Sequence, residues 1–472
     1  MKRIVAIAAL AVLSACAPPK APVPPDAALT TPAGWRGGVP GSDAALDAAL
    51  AADWWKSFGD PVLAKVVETA LTHNDDIAIA AARVAEARGQ FRLARAQTFP
   101  NIGAGAQLAR QASINPGFGV PDTQTDGAGA IEISYDLDLF GRLADSSEAA
   151  RSALLASQAA QDNVRLAVAA SAASGYIALR ALDARLLVLR DTLAERAEEL
   201  RVARRRSDAG YSSQFDLTQA EAAYRATEPL IPAAQLAIAR QEDGLSVLLG
   251  MSPRAIERGL GFDSLAITSA PAMVPAALLR RRPDIAAAEA QLAASDHALD
   301  AARDAFMPDV QLAASGGLIG SNLAVGSPFE YWSLGGSILA PIFSAGRLEA
   351  QQDIATARRD QAAFAYRKAA LNAFREVEDA LIAVQRDEEQ ERALSAQRDV
   401  QEHALRLATN RYRAGYSPYL DQIDAERSLL SVQLALIQAR ADRLTALVSL
   451  YQSLGGGWRA ASAPNPQAAA SP

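Results

Sequence analysis

The chain is almost without cysteine. Its one thiol, Cys16, lies near the start, so no disulfide can form within it. Histidine is nearly as scarce: His73, His297 and His403 fall on separate predicted helices, and no Cys/His metal spacing or nucleophile motif occurs. We therefore expect no enzyme, no metal and no cofactor. Basic excess is missing too, because the net charge is -7, so nucleic acid is not an expected partner. Aromatics make up only 6% of a chain that is 50% hydrophobic and rich in alanine. Such a composition suits long helices that approach closely better than a thick core. After residue 16 no run of 18 apolar residues occurs, so a membrane crossing would require a closed β-barrel. Proline is absent from Leu143 to Asp208 and from Leu348 to Arg413, 66 residues each, and Gly175 is the only glycine in either. Helices of that length, about 100 Å, imply coiled-coil or tubular packing.

What is present is a duplication. Gly141-Arg142-Leu143 returns as Gly346-Arg347-Leu348, and Ala209-Gly210-Tyr211-Ser212 as Ala414-Gly415-Tyr416-Ser417; Leu249-Gly250 returns as Leu454-Gly455, all at an offset of 205. Upstream, Asp76-Ile77, Ala94-Arg95 and Pro100 return as Asp284-Ile285, Ala302-Arg303 and Pro308 at an offset of 208. The period far exceeds the 20–50 residues of solenoid units. Each half reads as a helix, a β-hairpin, a long helix, a tip and a return helix. The first helix is expected from Val62 to about Thr98, and its counterpart from about Pro275 to Phe306. Ile131, Ile133, Tyr135, Leu137 and Leu139 alternate with Glu132, Ser134, Asp136 and Asp138, a period of two that marks a strand with one apolar face. Strands of about 10–13 residues match a tilted membrane strand. In the second long helix Ile354, Ala357, Phe364, Leu371, Leu381 and Val384 mark an apolar stripe. Gly210 and Gly415 are placed to end the long helices in the left-handed conformation. Pro229 and Pro232 break the return helix of the first half only.

The expected organisation is a signal peptide over 1–15, a lipid anchor and extended tether over 16–60, and a first repeat over 61–250. That repeat holds a hairpin at 100–140 and a tip at 209–213. A linker over 251–275 precedes the second repeat over 276–457, with its hairpin at 308–343 and tip at 414–418. Residues 458–472 read as a disordered tail. Lys2-Arg3 and the short apolar run Ile4 to Leu13 form the signal. Leu13-Ser14-Ala15-Cys16 resembles a lipobox, which would place a diacyl group on Cys16 and, with Ala17 following, favour the outer membrane.

Four segments carry a wider resemblance: Asp53 to Pro61 (DWWKSFGDP), Tyr135 to Arg142 (YDLDLFGR), Arg281 to Ile285 (RRPDI) and Pro341 to Arg347 (PIFSAGR). In this order, behind a lipobox, the chain resembles TolC-like outer membrane efflux lipoproteins, in the NodT-type branch that serves resistance-nodulation-division pumps. The resemblance implies a mainly α homotrimer in which four strands per chain close a 12-stranded barrel, continued by a helical periplasmic tunnel. It implies a passive duct for drugs or other small toxic compounds, working with a periplasmic adaptor (membrane fusion) protein and an inner-membrane transporter. Carried over by position, Gly210, Tyr211, Ser212, Gly415, Tyr416 and Ser417 would meet the adaptor, and Asp216, Tyr412, Asp421 and Asp424 would form the gate. Asp421 and Asp424 share a helix face, and in a trimer they would make two rings of carboxylates that favour cations. Where some relatives place an arginine two residues beyond the tip glycine, this chain has Ser417 and then Pro418, so a salt-bridge latch is not expected there. The alternative is a non-conducting helical scaffold lipoprotein bridging outer membrane and periplasm.

Overall fold

A computed structural model describes residues 24–36, 53–114, 121–267, 278–322 and 328–458. Cys16, the signal peptide and the tail beyond 458 lie outside the described residues. The helices are α1 (Pro61–His73), α2 (Asp75–Ala96), α3 (Arg142–Asp208), α4 (Gln214–Thr227), α5 (Leu230–Leu248), α6 (Pro283–Asp304), α7 (Arg347–Arg413) and α8 (Tyr419–Ser453). The strands are β1 (Asn101–Ile114), β2 (Pro121–Leu137), β3 (Asp309–Ser321) and β4 (Phe329–Leu339). The chain forms two compact units, one of residues 24–29, 83–158 and 287–368, the other of 30–82, 159–286 and 369–458, apart from the undescribed segments.

The first unit holds one antiparallel sheet in the order β1-β2-β3-β4, so the hairpins of the two halves meet at the β2–β3 pair. Its register sorts the residues by face. Ile102, Ala104, Ala106 and Leu108 stand opposite Ile133, Ile131, Gly129 and Gly127. Ile131, Ile133 and Tyr135 stand opposite Gly316, Ala314 and Leu312, and these opposite Trp332, Leu334 and Gly336. Because side chains alternate across a strand, one face is apolar across the middle of all four strands. Its charged members, Arg110 and Glu330, lie toward the hairpin ends. The other face carries Asn101, Gln107, Asp126, Glu132, Asp136, Gln311, Ser315 and Ser333. There Gln311 Nε2 donates to Asp136 Oδ1 at 3.0 Å, and the Ser315 and Ser333 hydroxyls bond at 2.8 Å. On the apolar face Trp332 is 82% and Leu334 75% exposed. Asp136 and Asp138, two apart in sequence, have separate roles: Asp138 lies beyond β2 and accepts from Leu143 N and Ala144 N at 3.1 and 2.7 Å, starting α3.

The second unit has the thicker core. Trp54 stacks on Tyr451 at 5.2 Å, and Phe58, Leu63, Val67, Tyr176, Ile177, Leu447 and Leu450 are buried with it. Buried Asp60 caps α1 by accepting from Val62 N at 2.8 Å, and it also accepts from Tyr176 Oη at 3.0 Å and Leu260 N at 3.2 Å. The Tyr176 hydroxyl accepts in turn from Gly259 N at 2.9 Å. The Tyr176 phenol is pushed up to about 12, first by burial. Trp35 packs on Phe374 at 6.3 Å and Arg36 N donates to Glu378 at 3.1 Å, so this part of the expected tether lies against α7.

The repeated Leu-Gly pairs have a shared cause. A Cβ on Gly250 would fall 2.2 Å from His73 O, and one on Gly455 would fall 1.9 Å from Arg281 O, so only glycine allows either approach. Residues 73 and 281 are themselves repeat partners. Beside these contacts Asn74 Nδ2 donates to Leu248 O at 2.9 Å and Arg282 Nη1 to Ser453 O at 3.0 Å, again at equivalent positions.

Three expectations need correction. The helix expected from Val62 to Thr98 is broken at Asn74, which is extended (φ -68°, ψ 132°) and caps α2 through Oδ1 to Asp76 N and Ile77 N. In its counterpart Leu278 is helical, a turn follows and a helix runs from Pro283, because a proline at the first helical position keeps the preceding residue out of the helix, while the expected start near Pro275 lies outside the described residues. The apolar stripe on α7 is not what this chain buries: Ile354, Phe364 and Leu371 are 52%, 44% and 44% exposed, whereas Ala363, Ala370, Ala373, Phe374, Val377 and Ala380 are buried. Small residues let the backbones come close and leave the large ones facing outward.

Candidate functional site

Each long helix ends at its repeated Ala-Gly-Tyr-Ser. Gly210 and Gly415 are left-handed (φ 77° and 79°), and the next amides turn back, Tyr211 N to Arg206 O and Tyr416 N to Arg411 O, both at 2.8 Å. This is a Schellman ending, which satisfies the last carbonyls of a helix and forces the chain to reverse. Ser213 then caps α4 by accepting from Asp216 N at 3.1 Å. In the second half Pro418 precedes α8 and offers no side-chain cap. The reversal projects Tyr211 and Tyr416 outward, 86% and 79% exposed, with Phe215 and Leu420 exposed beside them in sequence. Ser212 and Ser417 each keep a buried hydroxyl without a partner.

Below the second tip the start of α8 is fastened to α3. Tyr419 and Ile423 are buried with Ala203 and Ala220, and Leu200, Leu217 and Tyr412 pack around them. The rings of Tyr412 and Tyr419 lie 5.0 Å apart, and the Arg206 guanidinium sits 5.4 Å from the Tyr412 ring centre. Of the residues expected to form a gate, Tyr412 therefore joins this cluster. Asp421 and Asp424 are exposed on α8, one residue to either side of the buried pair Gln422 and Ile423. Asp424 lies 3.7 Å from Arg427, both more than half exposed. Asp216 is half-buried on α4.

Sequence reasoning missed a polar group beside this cluster. Gln422 Nε2 donates to Glu199 Oε1 at 2.7 Å and to Glu426 Oε1 at 2.9 Å, while the Tyr419 hydroxyl lies 3.5 Å from Glu199 Oε2. Burial, and then the Glu426 carboxyl, push Glu199 up to about 8. The Tyr419 phenol is raised by burial and by both carboxylates. Nearby, buried Arg196 on α3 donates to Ala223 O at 3.0 Å and to the Thr227 hydroxyl, tying α3 to α4. Apart from Gln422 and Glu426, four residues apart, these partners lie 27 to 223 residues apart in the chain, so no local pattern announces the group.

A duplicated unit of long helical hairpins and membrane-length β-hairpins, with an apolar outer face on the sheet, defines a membrane channel subunit. The Outer membrane efflux protein family matches residues 66–251 and 274–456, and the chain belongs to it. It is 35% identical over 425 residues to the toluene efflux pump outer membrane protein TtgC of Pseudomonas putida, covering 87% of each chain. It is 31% identical to the pyoverdine export outer membrane protein OpmQ of Pseudomonas aeruginosa, covering 97% of this chain and 98% of that one. The outer-membrane channel OprN superposes with a TM-score of 0.85 at 29% identity, over 93% of this chain and 99% of that one. The protein is thus an outer membrane efflux protein. Its relatives are transport proteins rather than enzymes.

Proposed function

We propose that three copies of this chain form one gated efflux duct. The observation that carries this reading is the sheet: its four strands have an apolar face and a polar, acidic face, yet β1 and β4 are edges. An open edge in lipid leaves backbone groups unpaired at several kcal/mol each, and four strands are too few to close. Pairing β4 of one copy with β1 of the next closes twelve strands, puts Trp332, Leu334 and Ile338 against lipid and turns Glu132 and Asp136 into the lumen. The large apolar residues left exposed on α7, Ile354, Phe364 and Leu371, suit burial against a neighbouring copy.

In this assembly the long hairpins line a periplasmic conduit. Tyr211, Ser212, Tyr416 and Ser417, raised on Gly210 and Gly415, supply six tips for a periplasmic adaptor that links the duct to an inner-membrane resistance-nodulation-division transporter. Tyr412, Asp421 and Asp424, with Asp216, form the gate, and Cys16 carries the lipid that anchors each copy. Cargo is drugs or other small toxic compounds; the names of relatives give toluene, pyoverdine and cations for theirs. The test is the purified full-length protein in a planar bilayer. A heat-modifiable trimer with discrete conductance steps and an acylated Cys16 by intact mass is expected. A monomer without conductance overturns the duct, and an unmodified Cys16 overturns the anchor.

A further inference from the structure

The Glu199 and Glu426 carboxyls share one donor, the Gln422 side-chain nitrogen, at 2.7 and 2.9 Å. Glu426 Oε2 is buried and has no partner at all. No arginine or lysine forms an ion pair with either group among the described residues. The neighbours on each packed element reinforce this. On α3, Glu195 and Asp191 add negative charge, and the buried Arg196 spends its hydrogen bonds on Ala223 O and Thr227 of α4. Glu195 is itself raised, by burial and then by Glu426 and Asp191. From α4 come Leu217 and Ala220, and from α7 comes Tyr412, whose ring faces Arg206 and Tyr419. Two carboxylates so placed cannot both be ionised without a large repulsion, and a single proton between them removes it.

We propose that Glu199 and Glu426 hold one shared proton that fastens the start of α8 to α3, and that its loss releases the second tip. With the proton present, one carboxyl donates where Glu426 Oε2 otherwise lacks a partner, and Tyr419 and Ile423 stay seated. With it gone, two negative charges face each other across the α3–α8 contact. Burial and the facing carboxyl raise Glu199 to about 8, so the fastening is complete only below the usual carboxylate range and is lost progressively as pH rises to that value. The device occurs once per chain, since Ala404 and Leu217 stand at the repeat positions of Glu199 and Gln422. Only its link to conductance rests on the channel reading; the fastening can be measured without it.

Amide hydrogen exchange of the full-length protein in detergent, from pH 6.5 to 9.5 and corrected for intrinsic rates, tests the proposal. Peptides covering Tyr419 to Glu426 should lose protection about tenfold or more between about pH 6.5 and 8 and level off above it, while those covering Ala439 to Leu450 stay unchanged. Glu199→Gln, which keeps a hydrogen-bonding group without the charge, should abolish the step, and Glu426→Gln serves equally if the first variant does not fold. A flat wild-type profile, or a step that persists in the variant that folds, overturns the proposal. If the exchange step is present and conductance ignores pH, the fastener stands and the gate assignment at this tip falls.

Discussion

Leu334 and Ser333 are adjacent in β4 and face opposite ways, which makes them a sharp test of the barrel. Leu334 sits mid-strand opposite Ala314, in a row that continues through Ile133 to Ile102. Ser333 faces Ser315, which faces Glu132. If the apolar face meets lipid, Leu334→Arg places a cation near the bilayer midplane at about 2–4 kcal/mol per copy, or about 6–12 kcal/mol for three copies in one barrel. Ser333→Arg enters the lumen, where it loses a neutral hydroxyl pair worth about 1 kcal/mol and gains attraction to Glu132. Urea unfolding of the trimer in liposomes, with the yield of heat-modifiable trimer in outer membranes, reads both. Leu334→Arg should collapse the yield, whereas Ser333→Arg should assemble and conduct with reduced cation preference. Equal unfolding midpoints for the two variants, or the reverse ranking, would refute the face assignment.

Two further outcomes follow from the same geometry. Tyr176→Phe leaves buried Asp60 short of one donor and Gly259 N without its acceptor, so the second unit should lose about 2–4 kcal/mol in denaturant melts; a loss below about 0.5 kcal/mol would mean water replaces the hydroxyl. Asp421→Ala with Asp424→Ala should raise single-channel conductance and weaken cation preference. Because Asp424 and its partner Arg427 are 63% and 53% exposed, stability should change by less than about 1 kcal/mol. Unchanged conductance in a stable trimer removes these residues from the gate.

The long helices were legible because they depend on an absence: with no proline over 66 residues, little else competes with a helix. The strand alternation at Ile131 to Leu137 was equally plain and that at Ile102 to Leu108 weaker, whereas β3 is rich in glycine, alanine and serine and shows its faces chiefly through the register. The break at Asn74 was encoded in Asn74-Asp75-Asp76, a capping signal, but the surrounding helical pattern outweighs it until Leu248 O is seen to claim the amide. The α7 stripe was legible, but not that the single chain leaves Ile354, Phe364 and Leu371 exposed and packs the small residues instead. Of the tip, the turn glycines and exposed tyrosines are local features and were readable. The Glu199–Gln422–Glu426 group was not, because it exists only when residues 223 apart meet.

That group also bears on why the duplicated halves differ. The repeat alone gives two equivalent tips, and their Schellman turns are indeed alike. Below the turns the equivalence fails. Tyr419 and Ile423 are buried, while Gln214 and Thr218 at the repeat positions are exposed. Tyr412 corresponds to Ser207, and Asp424 to Gln219. The start of α8 is therefore held by a packed aromatic cluster and a half-buried carboxyl pair, whereas the start of α4 has neither at the matching sites. A contact held by apolar packing alone responds weakly to its surroundings; one that also buries two like charges depends on a single proton. The halves differ elsewhere too, as at Pro229 and Pro232, but the differences that change what holds a tip concentrate within the first two turns of α8 and the residues it touches. That concentration is what a switch requires: a local contact of modest strength, chemically distinct from its twin, whose loss frees one tip and leaves the other in place.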